Sequence, residues 1–257
     1  LTCNQIYPAV TIDDRNFFNL LPNLSYSYKF TKTASVRIRY RTSTSAPSIS
    51  QLQDVIDNTN PLLLKGGNSQ LNQSYTQMVF GRYGKTNIEN GRSFFLMFHS
   101  RFTKDYIGNA TFIPTSDSTL ANGIVMSKGS QLSKPVNLDG YISASTYSTY
   151  SFPLSKIKCN FNLNGGVTFN RIPAKINEQI NYADNFNYNG GVTISSNISP
   201  ALDFTFGYTG NYVMVTNSLQ SSLDNNYYFH YATFKMNWNI YKGFIFIGLM
   251  NMNGEPK

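Results

Sequence analysis

The chain has 257 residues; 41% are hydrophobic and 15% aromatic, but only 13% are charged, and the formal net charge is +8. Ordinary soluble domains carry about 25% charged residues, while the mean hydropathy lies below zero, so neither a typical charged domain nor a bundle of apolar membrane helices fits. Cys3 and Cys159 are too few and too far apart for a disulfide scaffold or a metal pair, and cations scattered one or two per segment do not form the clustered surface that nucleic acid requires.

The first strong signal is Leu24-Ser-Tyr-Ser-Tyr-Lys-Phe30, a polar turn, then Val36-Arg-Ile-Arg-Tyr40. Large apolar side chains alternate with Ser, Lys and Arg, which gives each strand one apolar and one wet face. The pattern predicts a strand pair over 18–30 and 35–41. Further pairs follow over 74–83 with 92–113, 136–151 with 156–170, 185–197 with 202–215, and 226–240 with 244–251. The turns within pairs fall at 31–34, 84–91, 152–155, 198–201 and 241–243, where Pro, Gly and polar residues punctuate the pattern. The longest apolar run, Phe244-Ile-Phe-Ile-Gly-Leu-Met250, is strand-sized and far short of the ~20 residues a spanning helix needs.

Connections between the pairs, at 42–73, 114–135, 171–184 and 216–225, read as long polar loops. Short and long connections therefore alternate, as in outer-membrane barrels and not as in a Greek-key sandwich. In the first long loop, Ile49, Leu52, Val55 and Ile56 stand at helical spacing, and Ser48 with Gln51 makes a capping box. That loop is expected to hold a short helix folded over the barrel mouth, with Gln51, Asp54, Asp57 and Asn60 as candidate ligand contacts. A structural contact with a plug or with neighbouring strands is the competing reading.

Strand phase assigns the faces. Leu24, Tyr26, Tyr28, Phe30, Val36, Ile38 and Tyr40 are expected to face lipid, with Phe94, Leu96, Phe98, Phe102, Phe161, Leu163, Leu202, Phe204, Phe206, Tyr208, Ala232, Phe234, Met236 and Trp238. The opposite phase holds Lys29, Arg37, Arg39, Arg41, His99, Arg101, Lys158, Asn160, Asn162, Asp203, Thr205, Lys235 and Asn237. A charge on the lipid face near the midplane costs ~2–4 kcal/mol, so charges belong on the lumen side. Lys29, Arg37, Arg39 and Arg41, with His99 and Arg101, are the candidate lumen residues, able to hold an anionic solute, acids of a plug or lipopolysaccharide phosphates.

The stretch from Tyr40 through Arg41-Thr-Ser-Thr-Ser-Ala-Pro-Ser-Ile-Ser-Gln-Leu52 to Pro61, followed by Gly67-Asn-Ser-Gln-Leu71, resembles the barrel region of the TonB-dependent-receptor-like outer-membrane β-barrel proteins of Bacteroidetes. In that family an R-T-S-T-x-x-P-S-x-x-Q-L strand exit precedes a G-N-x-x-L re-entry. Pro135-Val-Asn-Leu-Asp-Gly140, Tyr150-Ser-Phe-Pro-Leu154 and Tyr188-Asn-Gly-Gly-Val-Thr-Ile-Ser-Ser-Asn197 resemble it too. The resemblance implies a barrel of about twenty-two strands, filled by an N-terminal plug and energised by the TonB system. It implies uptake of a bulky nutrient such as a siderophore, oligosaccharide or peptide. Expected partners are outer-membrane lipid, lipopolysaccharide, the TonB system through a plug, and a surface lipoprotein, but not nucleic acid.

The expectation is thus an all-β, antiparallel up-and-down transmembrane barrel in the outer membrane, with residues 1–257 forming part of the barrel and the plug and final strands lying elsewhere; a self-closing barrel of about ten strands is the alternative. A passive porin-like or structural barrel is the alternative function. No enzymatic activity is expected: His99 falls on the lumen phase, His230 shares the outward phase with Ala232, and neither sits in a nucleophile or metal motif. Asp13-Asp14 and Asp54/Asp57 lack calcium-loop spacing, and no cofactor is implied.

Overall fold

In the computed structural model, residues 2–5, 11–14, 18–120, 123–196, 202–241 and 244–254 are described. A small hairpin pairs β1 (Thr2–Gln5) with β2 (Thr11–Asp14). Then come β3 (Asn23–Thr31) and β4 (Ala34–Ser45), a one-turn helix α1 (Ile49–Leu52), and short strands β5 (Ile56–Asp57) and β6 (Leu63–Gly66). The long strands resume with β7 (Ser74–Asn87) and β8 (Arg92–Lys104), followed by β9 (Tyr106–Phe112), β10 (Ser118–Thr119), β11 (Val125–Met126) and β12 (Gln131–Leu138). The chain ends in β13 (Tyr141–Leu154), β14 (Cys159–Ile176), β15 (Gln179–Ser196), β16 (Leu202–Asn217), β17 (Asn225–Tyr241) and β18 (Phe244–Gly254).

Ten of these strands form one antiparallel meander in the order β3-β4-β7-β8-β13-β14-β15-β16-β17-β18. They are the ten strands that the alternation predicts. Among the described residues the sheet does not close on itself: β3 pairs only with β4, and β18 only with β17. No helix among the described residues is long and apolar enough to cross a membrane; the spanning elements are the strands.

The register fixes both faces. Directly opposed residues share a face, so Tyr26 with Ile38, Gly81 with Phe98, Phe98 with Thr146, and Val192 with Tyr208 and Leu163 all lie outward. Along this face Tyr26 is 57%, Phe98 42% and Phe206 37% exposed, with nothing packed over them. A water-soluble sheet would bury those rings beneath a second layer; here they form a continuous apolar band.

On β14 the band runs upward from Cys159 and ends at Arg171, which pairs with Asp184 of β15. About twelve residues at ~3.3 Å span ~40 Å along the strand, or ~30 Å of height at a tilt of ~40°, close to the ~25 Å apolar band of outer-membrane barrels. Phe169, Phe186, Tyr188 and Tyr212 fill its upper part in ring contact.

Several expectations are corrected. The single strands predicted over 92–113 and 136–151 each break in two: Asp105 (φ 52°) separates β8 from β9, and Gly140 (φ 97°) separates β12 from β13. At that break the two-stranded ribbon makes a half-turn. Below it β13 lies beside β14, with Ile142 opposite Arg171; above it β9 takes that place, with Ala110 opposite Lys175 in parallel pairing. The Asp105 N–H donates to Asp139 Oδ1 at 3.0 Å, and Tyr106 stacks on Tyr141 at 4.5 Å, which fixes the crossing. A Cβ at Gly108 would stand 3.0 Å from the Pro173 carbonyl and 3.1 Å from Leu138, so glycine relieves the close approach of β9 to β14.

The predicted long loop over 171–184 is also strand. β14 and β15 continue above the band and join through Asn177 (φ 43°) and Glu178 (φ 70°), the two positive-φ positions of a tight hairpin turn. The predicted helix is one turn only: the capping box of Ser48 and Gln51 forms, but Val55 and Ile56 lie beyond it and Ile56 enters β5. The turn predicted at 152–155 falls later, in a 3-10 turn over Ser155–Ile157, and Lys158 occupies a left-handed turn position, not the wet phase of a strand. Residues 198–201 and 242–243, both predicted turns, lie outside the described residues, as do the side chains of Cys3, Asp13 and Asp14.

The buried core lies at the long-loop end. Leu64, Met126 and Leu132 pack together with Ile56, Leu120 and Ile124 around them. β6 adds to β12 in parallel, with Leu64 opposite Leu132, so the first long loop is fastened to the second.

Candidate functional site

The inward face of the meander carries every lumen candidate. Reading across β3, β4, β7 and β8, Ser27 faces Arg37 and Arg37 faces Arg82; Ser25 faces Arg39, Arg39 faces Phe80, and Phe80 faces His99. One row further up, Asn23 faces Arg41, Arg41 faces Met78, and Met78 faces Arg101. Lys29, opposite Ser35, stands on the same face below Arg37. The structure thus brings Lys29, Arg37, Arg39, Arg41, His99 and Arg101 onto one surface.

Arg82 belongs to this group and sequence reasoning missed it. Its strand places Met78 and Phe80 on the wet phase, so alternation gives no clear face there; only the long-range register opposite Arg37 reveals it. Its guanidinium lies 5.1 Å from the centre of the Phe95 ring, a cation–π contact that holds the head in place.

The four strands β3, β4, β7 and β8 contain no Asp or Glu. Among the described residues, ion pairs join Lys134 to Asp54, Arg171 to Asp184 and Lys175 to Glu178, none of them on the inward face of these strands. Arg37, Arg39, Arg41, Arg82 and Arg101 have exposed side chains without a carboxylate partner among the described residues. Like charges directly opposite, as at Arg37 and Arg82, repel.

Further along the sheet the inward face becomes mostly uncharged and polar. Asn160, Asn162, Asn164, Thr193, Ser195, Thr205, Thr209 and Thr233 line a recess of ≈ 730 Å³, with Tyr147, Tyr231 and Lys235 at its sides. Local hydrogen bonds order part of this wall: the Ser143 hydroxyl donates to Asn170 Oδ1 at 2.7 Å and the Asn162 amide to Ser151 Oγ at 3.1 Å. The buried Asn187 Oδ1 has no hydrogen-bond partner among the described residues.

The loop candidates serve the loop itself. The Gln51 side chain accepts from the Ser48 N–H at 2.9 Å, closing the capping box. Asp54 pairs with Lys134 of β12 at 3.0 Å. Asp57 accepts from the N–H and hydroxyl of Thr59 at 3.0 and 2.8 Å, which holds its carboxyl below the ordinary carboxylate range. Asn60 accepts from the Leu62 N–H at 3.0 Å. Asn68 completes the fastening, giving its N–H to the Gln51 carbonyl at 2.7 Å and its side-chain amide to the Pro135 carbonyl at 3.0 Å. At the half-turn, burial and the neighbouring Tyr141 raise the Tyr106 hydroxyl above its usual range.

His99, opposite Phe80 and Ser145, makes no hydrogen bond among the described residues that would orient it as a base. His230 lies outward between the rings of Tyr208 and Tyr228. Among the described residues no cluster of His, Cys, Asp and Glu is placed to hold a metal ion.

The sequence profile of the outer membrane protein beta-barrel family matches residues 5–251. No curated protein and no solved structure matches the chain.

Proposed function

The chain belongs to the outer membrane protein β-barrel family and resides in the outer membrane; from that premise we propose that it is part of the wall of a larger, plugged barrel that imports a bulky nutrient. The observation that carries this reading is the division of one ten-stranded sheet into an exposed aromatic band and an opposite face of Arg, Lys, Asn, Ser and Thr. Such a wall separates lipid from a wet interior, and its charges stand where a solute would pass.

Among the described residues β3 and β18 each leave one edge unpaired. Backbone groups exposed to lipid cost several kcal/mol each, so both edges are paired in the membrane, in this reading by further strands of a larger ring. β18 argues the same way through its side chains: Phe246 and Met250 face outward, while Ile247 and Leu249 occupy the inward phase and are 74% and 62% exposed. Apolar residues on both faces suit a strand covered on both sides, as by lipid outside and a plug within.

In this reading the short turns point to the periplasm and the fastened loops to the exterior. The TonB system supplies energy through the plug, and lipopolysaccharide and a surface lipoprotein are the external partners. The residue pattern of 41–52 and 67–71 supports the TonB-coupled class over a passive pore. The test is nutrient uptake by cells expressing the intact protein with and without TonB. Uptake is expected to collapse in the deletion; uptake that persists unchanged removes active transport and leaves a passive channel.

A further inference from the structure

The two margins of the apolar band differ in how their outward cations are matched. At the long-loop margin Arg171 pairs with Asp184 and, above it, Lys175 with Glu178. At the short-turn margin Lys85 and Arg92 have no carboxylate within ion-pair reach among the described residues. Both lie outward: Lys85 is opposite Phe94 and Arg92 opposite Asn87, on the phase that carries Gly81 and Phe98. They are therefore diagonal neighbours, about 7–8 Å apart at the backbone, a gap that two long side chains close on one phosphate.

Between the turn joining β7 to β8 and the adjacent strand β13 lies a cavity of ≈ 260 Å³, lined by Lys85, Asn87, Asn90 and Arg92 together with Phe94 and Tyr150. Its polar groups are donors. Asn87 Oδ1 accepts from the N–H groups of Glu89 and Asn90 at 3.0 and 3.3 Å, and Asn90 Oδ1 accepts from the Arg92 N–H at 3.3 Å. The acceptor end of each amide is thus spent on the turn, and the NH2 end is left to donate. Glu89, the acid of this turn, is exposed and does not line the cavity. A Cβ at Gly91 (φ 63°) would stand 3.2 Å from Pro153 Cγ, so the turn lies against β13 and its wall is held in place. Phe94 meets the Tyr83 ring at 6.1 Å and Tyr150 the Phe152 ring at 5.3 Å, part of an aromatic girdle at the level where acyl chains meet headgroups.

Resting on the orientation given above, with the short turns toward the periplasm, we propose that this cavity binds an anionic glycerophospholipid of the periplasmic leaflet. Its phosphodiester sits between Lys85 and Arg92, and the amides of Asn87 and Asn90 donate to the free oxygens. Its acyl chains lie along Phe94 and Leu96 of the outward face. The cavity lining has no carboxylate to receive the ammonium of a zwitterionic headgroup, which sets the preference for a net negative one.

The experiment follows lipid retention by the intact protein in detergent, read by native mass spectrometry. The probes are dioleoyl-phosphatidylglycerol, dioleoyl-phosphatidylethanolamine, lipid A and glycerol 3-phosphate. Phosphatidylglycerol is expected to bind about tenfold or more tighter than phosphatidylethanolamine. K85Q/R92Q is expected to erase that preference, K85R/R92K to keep most of it, and K156Q, on the next short turn, to leave it intact. Equal binding of the two phospholipids overturns the proposal, as does tighter binding of lipid A. So does an equal loss in K156Q, which assigns the preference to diffuse charge. Displacement of the lipid by glycerol 3-phosphate at equal concentration also overturns it and gives the cavity to soluble phosphates. Orientation is read separately with K156C and a membrane-impermeant maleimide on intact cells, where no labelling above the unsubstituted chain is expected. Labelling there removes the periplasmic assignment and the proposal with it; a failed lipid preference without labelling removes the proposal alone.

Discussion

Arg171 and Asp184 face each other across β14 and β15 on the outward side, joined by two parallel hydrogen bonds of 2.7 Å from Nε and Nη2 to the two carboxylate oxygens. The guanidinium also lies 5.8 Å from the Phe169 ring and 5.4 Å from that of Tyr182. This pair marks where the apolar band gives way to water. The side chains are 39% and 18% exposed, so screening discounts the pair's worth to about 1 kcal/mol. Replacing Arg171 by Gln should destabilise the barrel by about that amount, and D184N added to it should recover part, as a double-mutant cycle in lipid vesicles would measure.

Val192 and Thr193 are neighbours on opposite faces. Val192 lies outward between Leu163 and Tyr208, and Thr193 inward between Asn162 and Gly207. V192K should cost ~2–4 kcal/mol in a lipid-refolding titration, and T193K roughly 0–1 kcal/mol. Equal penalties would contradict the assignment of faces.

A Cβ at Gly67 would collide with the Gln53 carbonyl, and the Asn68 bonds to Gln51 and Pro135 depend on that approach. G67A should therefore loosen α1 and β6 from β12 by roughly 1–3 kcal/mol, leaving the membrane strands intact. Limited proteolysis should cut the loop faster while the folded band on a semi-native gel is unchanged.

Asp57 makes a pH-dependent contribution. Its carboxyl titrates below the ordinary range because the folded loop supplies two donors from Thr59. A lowered folded value means the stabilisation is present above the unfolded value and is lost as pH falls through the folded one. The protection factor of the Thr59 amide, taken against the intrinsic exchange rate at each pH, should fall on acidification through that window, and D57N should remove the dependence.

The ten meander strands were legible because alternation repeats wherever one face meets lipid and the other water, as at Leu24 to Phe30 and Leu202 to Tyr208. Legibility ended where that contrast ends. Above the band lipid no longer covers the outward face of β14 and β15, where β9 lies alongside and Pro173 is buried, so residues 171–184, with little apolar alternation, read as loop. The half-turn at Asp105 and Gly140 left no trace in periodicity, because each strand alternates on either side of it and only pairing distinguishes the neighbours. The cation file was visible on β4, where Arg37, Arg39 and Arg41 alternate with Val36, Ile38 and Tyr40. Arg82 was hidden because its strand mixes Met78 and Phe80 into the same phase.

The two-faced apolarity of β18 bears on biogenesis. In water such a ribbon offers an open ladder and sticky side chains in both directions, the combination that zips identical molecules together. Escorted delivery to the bilayer, with this seam shielded until its neighbour strand docks, is therefore a physical requirement on how the molecule is made.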